Sequence, residues 1–119
     1  MTFEQLIKKI GPQNESEWHK HDNGGGWIQN TTYVDASVFV GELAIVSGNA
    51  RVYENAHVYE NARVCGNAWV YGNAHVYENA RVCENARVCG NAHVCGDAQV
   101  YGNAQVCGDA CVYGNAQVC

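Results

Sequence analysis

The sequence predicts an all-β fold, a parallel β-helix of about five triangular coils with a short N-terminal capping α-helix. Three observations predict it. A β-branched aliphatic residue recurs every six positions, at Ile28, Val34, Val40 and on unbroken to Val112, with Val118 opening a further unit. The fifth place of each hexad is Thr32, then Val38, then Ala from Ala44 to Ala116. Between them stand turn formers, Gly or Glu followed by Asn or Asp, as in Val52-Tyr53-Glu54-Asn55-Ala56-His57. Neither the helical period nor a heptad fits a period of six. In an extended segment the branched residue faces one way and its two neighbours the other. Val therefore fills the interior at mid-strand, Ala fits the corner, and the bend falls at Gly/Glu-Asn, with Asn tolerating a positive φ. Three such units close a coil of eighteen residues, and coils stack as parallel strands ~4.8 Å apart.

Ahead of the repeats, residues 1–27 read as an N-terminal cap, and residues 28–119 as the β-helix. Residues 2–10 form the helix: Phe3, Leu6, Ile7 and Ile10 share one face. Thr2 and Gln5 have capping-box spacing, and Gly11-Pro12 ends the helix. Residues 13–26 are a polar, Gly-rich connection. A β-helix exposes strand edges and a slice of core at its ends, so the helix is expected to plug the N-terminal end.

Folding the chain at period eighteen gives three outer faces. The first stacks Phe39, His57, His75, His93 and Cys111 beside Gly41, Tyr59, Tyr77, Cys95 and Tyr113. Its candidate residues are His57, Tyr59, His75, Tyr77 and His93. Imidazole and thiol ligands there suit a metal, but stacked neutral rings copied by repeat duplication are the preferred reading, with no metal and no cofactor. The second stacks Tyr33, Arg51, Trp69, Arg87 and Gln105 beside Asp35, Tyr53, Tyr71, Cys89 and Cys107. Arg51 and Arg87 would sandwich Trp69. Trp, Tyr and Arg are enriched in interface hot spots, so Arg51, Tyr53, Trp69, Tyr71 and Arg87 are the candidate interaction face. The third stacks Ile45, Arg63, Arg81, Gln99 and Gln117 beside Ser47, Cys65, Cys83, Tyr101 and Cys119. Arg63 and Arg81 repel unless Glu60 and Glu78 answer them; a compensated charge ladder is expected, with an anion site the alternative. Corner asparagines should bond from rung to rung.

The phrasing Gly-Asn-Ala-x-Val, with Gly25-Gly26-Trp27-Ile28 just upstream, resembles the hexapeptide-repeat superfamily, and within it small proteins of bacteria, phages and prophages. The likeness covers about three quarters of the chain. It implies a left-handed coil, whereas the usual crossover rule would favour a right-handed one. It also brings acyltransferases and zinc enzymes into view, which work at clefts walled by loops. Here no hexad is interrupted from residue 28 to 117, so any cleft would have to come from assembly, and no catalytic constellation is expected.

The formal charge of −5 disfavours nucleic acid as a partner. No run is long enough to span a membrane, and no signal peptide is expected. An odd count of 7 cysteines, six in one Tyr/Cys slot, reads as reduced cytoplasmic thiols; for a phage protein that is the host cytoplasm. The resulting expectation is a non-catalytic binding or scaffold protein with a protein partner, in the phage setting an inhibitor of a host or defence protein. Hexapeptide-type acyl transfer or metal-dependent catalysis at an oligomer interface is one alternative; end-to-end structural stacking is another. The regular last coil predicts a homo-oligomer, foremost a dimer joined through Val100, Val106, Val112 and Val118.

Overall fold

A computed structural model describes every residue from Met1 to Cys119. Helix α1 (Phe3–Ile10) begins with a reciprocal cap: the Thr2 hydroxyl accepts from the Gln5 amide at 3.2 Å, and the Thr2 amide donates to the Gln5 side chain at 2.8 Å. Gly11, at φ 93°, ends it. Strand β1 (Trp18–Lys20) pairs antiparallel with β2 (Trp27–Gln29), a hairpin that the polar composition of this stretch conceals.

From Tyr33 onward every strand is two residues long, and one starts every sixth position, from Tyr33–Val34 to Gln117–Val118. They assemble into three sheets of parallel strands, each strand pairing with those three places before and after it in the chain. The register sets every residue against the one eighteen positions on, as His75 stands against His57 and His93. The result is a parallel β-solenoid of about five turns. Three amides per hexad sustain it: Asn55, His57 and Tyr59 donate to the carbonyls of Gly72, Ala74 and Val76 in the next turn at 2.9–3.0 Å.

Inside run the valines and alanines. Val40 to Val100 and Ala44 to Ala98, taken every sixth residue, are fully buried. Corner amides link the rungs outside: Asn79 donates to Asp97 at 3.2 Å, and Asn73 to Asn91 at 3.3 Å. The positive φ at the corners sits one residue earlier than expected, on the Gly/Glu position and never on Asn. Glu54, Glu60, Glu78 and Glu84 all lie between 56° and 62°. Glycine occupies the same slot elsewhere because it alone takes this conformation without steric cost.

Two expectations about the ends are corrected. The helix does not plug the N-terminal opening. Its apolar face and Met1 pack with Trp18 and Trp27 on the outward side of the first sheet, against Ile45. The Met1 ammonium pairs with Glu42 at 3.0 Å, and the Trp27 indole donates to the Met1 carbonyl at 2.8 Å. The opening is crossed instead by the segment from Trp18 to Gly26. β1 covers the edge of β2, while the Gly26 amide donates to the Val40 carbonyl and the Val40 amide to that of Asn23. His21 is buried there with its Nε2 2.8 Å from the Val38 carbonyl, so that nitrogen carries the proton. Gly24 and Gly26 permit this approach: a side chain at either would run into the Val40 carbonyl. At the other end, Val100 is fully buried beneath its partner Val118 and is no part of an open layer; Val112 and Val118 are half-buried.

A left-handed backbone conformation costs a residue with a Cβ ~1 kcal/mol or more. Glu78→Gly removes that cost and the neighbouring Glu60 charge repulsion. It should therefore stabilise the fold by about 1 kcal/mol, or about 4 °C in thermal melts. Asn79→Gly, one residue on, should destabilise it, since Asn79 has no positive φ and loses its bond to Asp97.

Candidate functional site

The eighteen-residue register places like above like on the outer faces, and three groups of side chains result.

On the first face the imidazoles of His57, His75 and His93 stack with centroids 4.6 and 4.9 Å apart, nearly parallel. Beside them Tyr59 and Tyr77 stack at 5.0 Å. The two columns interlock: Tyr59 meets His75 edge-on at 6.0 Å, and Tyr77 meets His93 at 5.9 Å. All five rings are half-buried. His75, in the middle, has its pKa lowered by burial and then by the flanking His57 and His93. Its Nδ1 is buried without a hydrogen-bond partner, while the His57 Nδ1 lies 2.9 Å from the Asn55 carbonyl. The phenol of Tyr77 is pushed up to about 12, first by hydrogen bonding with Cys95 and then by burial. Rings stacked face to face do not converge on one point, and no group of three His, Cys, Asp or Glu side chains is placed to hold a metal ion.

On the second face the guanidinium carbons of Arg51 and Arg87 lie 5.5 and 4.4 Å from the Trp69 ring, one on each side. Tyr53 and Tyr71 stack at 4.9 Å beside them, and Tyr53 also meets Trp69 edge-on at 6.4 Å. Arg51, Tyr53 and Trp69, with the exposed Tyr33, line a shallow depression of about 200 Å³. Neither arginine has a carboxylate partner; the molecule's one ion pair is that of Met1 with Glu42.

On the third face the expected compensation is absent. Neither Glu60 nor Glu78 reaches Arg63 or Arg81. The N-terminal segment and the first sheet instead enclose a groove of about 470 Å³ in which both arginines stand. The expectation that a cleft could arise only by assembly is corrected accordingly. The sequence signal for it was the aromatic pair Trp18 and Trp27, which fix the segment against the sheet.

The cysteines are also corrected. Cys65 is joined to Cys83 and Cys89 to Cys107; Cys95, Cys111 and Cys119 are free. Each bonded pair is separated by eighteen residues, which brings their Cα atoms to 4.6 Å, inside the range a disulfide spans. The eighteen-residue period places the two members of each pair in the same column, Cys65 with Cys83 on the third face and Cys89 with Cys107 on the second. The two bonds remove the support that reduced thiols gave to a cytoplasmic location. No helix is long and apolar enough to cross a membrane.

Peptide mapping without reductant should recover the pairs Cys65–Cys83 and Cys89–Cys107. Reduction should lower the melting temperature, since closing loops of this size is worth up to about 3 kcal/mol each. A second prediction concerns acid. His75 has a lower pKa folded than unfolded, so the unfolded chain takes up protons first as pH falls. The stability this contributes is complete above the ordinary value of 6.5 and is lost as pH falls from there through the folded value. Melts from pH 7.5 to 5 should show a shallower decline for His75→Gln than for the wild type.

Four stretches of the chain, 44–60, 62–78, 80–96 and 104–119, match the family model described as the YdcK beta solenoid repeat. No curated protein and no solved structure matches the chain. The matched stretches cover more than half of the sequence, and the first three start eighteen residues apart, the spacing of the structural turns; the His–Tyr face, the Trp69 face and both disulfides lie inside them, and the chain belongs to the YdcK beta-solenoid repeat family.

Proposed function

We propose that this solenoid is a non-catalytic binding protein that engages a protein partner through the face formed by Arg51, Tyr53, Trp69, Tyr71 and Arg87. One observation carries the reading: Trp69 is held between two arginines that have no carboxylate partner, beside a tyrosine stack at an open depression. A guanidinium stacked on an aromatic face keeps its donors at the ring's periphery, free for acidic or carbonyl groups of a partner. The side chains are ordered by their neighbours in the ladder, so binding costs little further side-chain entropy. The paired register makes the surface rigid and nearly flat, which suits a protein surface better than a substrate.

We include in the same reading the resemblance of the Gly-Asn-Ala-x-Val repeats to left-handed hexapeptide proteins of phage type. A small, rigid prism of that origin acts by occupying a host protein's surface, with no turnover required.

Affinity capture from a host lysate, wild type against Trp69→Ala/Tyr71→Ala, tests the reading. The wild type should retain a stoichiometric protein partner. The variant should lose it, by about 2 kcal/mol or more, while melting within a few degrees of the wild type. A partner held equally by both proteins contradicts the assignment of this face.

A further inference from the structure

The groove on the third face lies over a different sheet from the proposed interaction surface, and the two readings stand separately. It is walled by the N-terminal segment and by the first sheet. Its apolar lining comes from Ile10, Trp18 and Ile45, of which Trp18 and Ile45 are buried. Its cations are Arg63, half-buried, and Arg81, exposed, set one rung apart by the pairing of their strands. The Cys65–Cys83 disulfide lines the same groove and ties together the two rungs that carry the arginines. Gln13 adds a polar edge: its carbonyl accepts from the Trp18 indole at 3.2 Å, which leaves its amide nitrogen free to donate.

This cluster of positive charge is uncompensated. No carboxylate lies within ion-pair distance of either arginine. Lys9 adds to it: its ammonium binds the Leu43 carbonyl at 3.3 Å and the Asn61 side chain at 3.2 Å, and no acid. Burial lowers the pKa of Arg63 and of Lys9; Arg81 adds to the effect on Arg63, and Arg63 to that on Lys9. In a chain of net charge −5, two guanidiniums held a rung apart without a counter-charge are a local exception. A bound dianion would relieve their mutual repulsion.

We propose that this groove binds a small phosphomonoester with an apolar body, the phosphate shared by Arg63 and Arg81 and the body lying against Ile10 and the Cys65–Cys83 disulfide, over the edge of Trp18. Two guanidiniums on adjacent rungs favour a tetrahedral dianion over a carboxylate. Phosphate presents three oxygens and close to two charges, enough for two guanidiniums, whereas a single carboxylate satisfies one. The volume of about 470 Å³ is that of a small-molecule site and exceeds what a bare phosphate fills.

Isothermal titration at low ionic strength, with the protein kept oxidised, tests this with phenyl phosphate, inorganic phosphate, benzoate and phenol. Phenyl phosphate should bind once per chain, at least about tenfold more tightly than inorganic phosphate or benzoate, and phenol should not bind. Arg81→Gln, an exposed position that cannot disturb folding, should weaken phenyl phosphate about tenfold, and Arg63→Gln similarly. Arg51→Gln, on the other face, should leave it unchanged. Absence of phenyl phosphate binding overturns the proposal. So does binding that Arg81→Gln leaves intact, or that Arg51→Gln weakens equally, which marks diffuse charge attraction. Inorganic phosphate binding as tightly as phenyl phosphate overturns the role of the apolar wall.

Discussion

Inter-turn hydrogen bonding in a fixed eighteen-residue register is the constraint on which the rest of this molecule depends. Once the amide of residue i is tied to the carbonyl seventeen places on, as Ile45 is to Ala62, every side chain stands above a sequence equivalent. Inside, this gives unbroken columns of Val and Ala with no other large side chain to accommodate. Outside, it stacks equivalent repeat positions, and many of these carry the same residue type. Where the residues are neutral, stacking helps: imidazole on imidazole, phenol on phenol, amide to amide, thiol to thiol as a disulfide. Where they are charged, stacking costs, and Arg63 under Arg81 is the clearest instance.

Most of the repeat was legible in the sequence because each coil uses the same short-range rule. Pairings such as His57 with His75 and Arg51 with Trp69 follow from counting by eighteen, and so does the inward placement of Val76. The parts that were not legible depend on contacts without a period. Trp18 and Trp27 could have been core or surface from composition alone, and their packing with Leu6 and Ile45 decides where the helix goes. His21 gave no signal, since one polar residue within the polar run from His19 to Asn23 is unremarkable until the Val38 carbonyl is seen to need a donor. The corner conformation was legible as a bend, but its placement on Gly or Glu instead of Asn depends on backbone geometry. The cysteine pairs were in the right columns, and a composition argument about compartment outweighed the geometry that joins them.

The two ends of the molecule differ in kind. At the N-terminal end, the segment from Trp18 to Gly26 closes the core with backbone hydrogen bonds, which frees the helix to lie on the outside and build the wall of a groove. The repeat itself offers only flat faces, because each hexad is the same length and none contributes a loop. Binding chemistry on this chain therefore arises in two ways. One is by stacking unlike residues in one column, as at Arg51, Trp69 and Arg87; the other is by laying non-repeat sequence over the repeat, as at Arg63 and Arg81.

The central claim, that one register sends Val inward and its neighbour outward along the whole chain, is tested most directly by comparing the melting of Val76→Asp and Tyr77→Ser. Val76 is fully buried between Val58 and Val94, so a carboxylate there has no partner and no water. The account predicts that Val76→Asp fails to give a cooperative transition or melts far below the wild type. Tyr77→Ser should cost only about 1 kcal/mol, the loss of stacking on Tyr59 and His93. A Val76→Asp protein melting within a degree or two of the wild type, or a Tyr77→Ser protein that fails to fold, would contradict it.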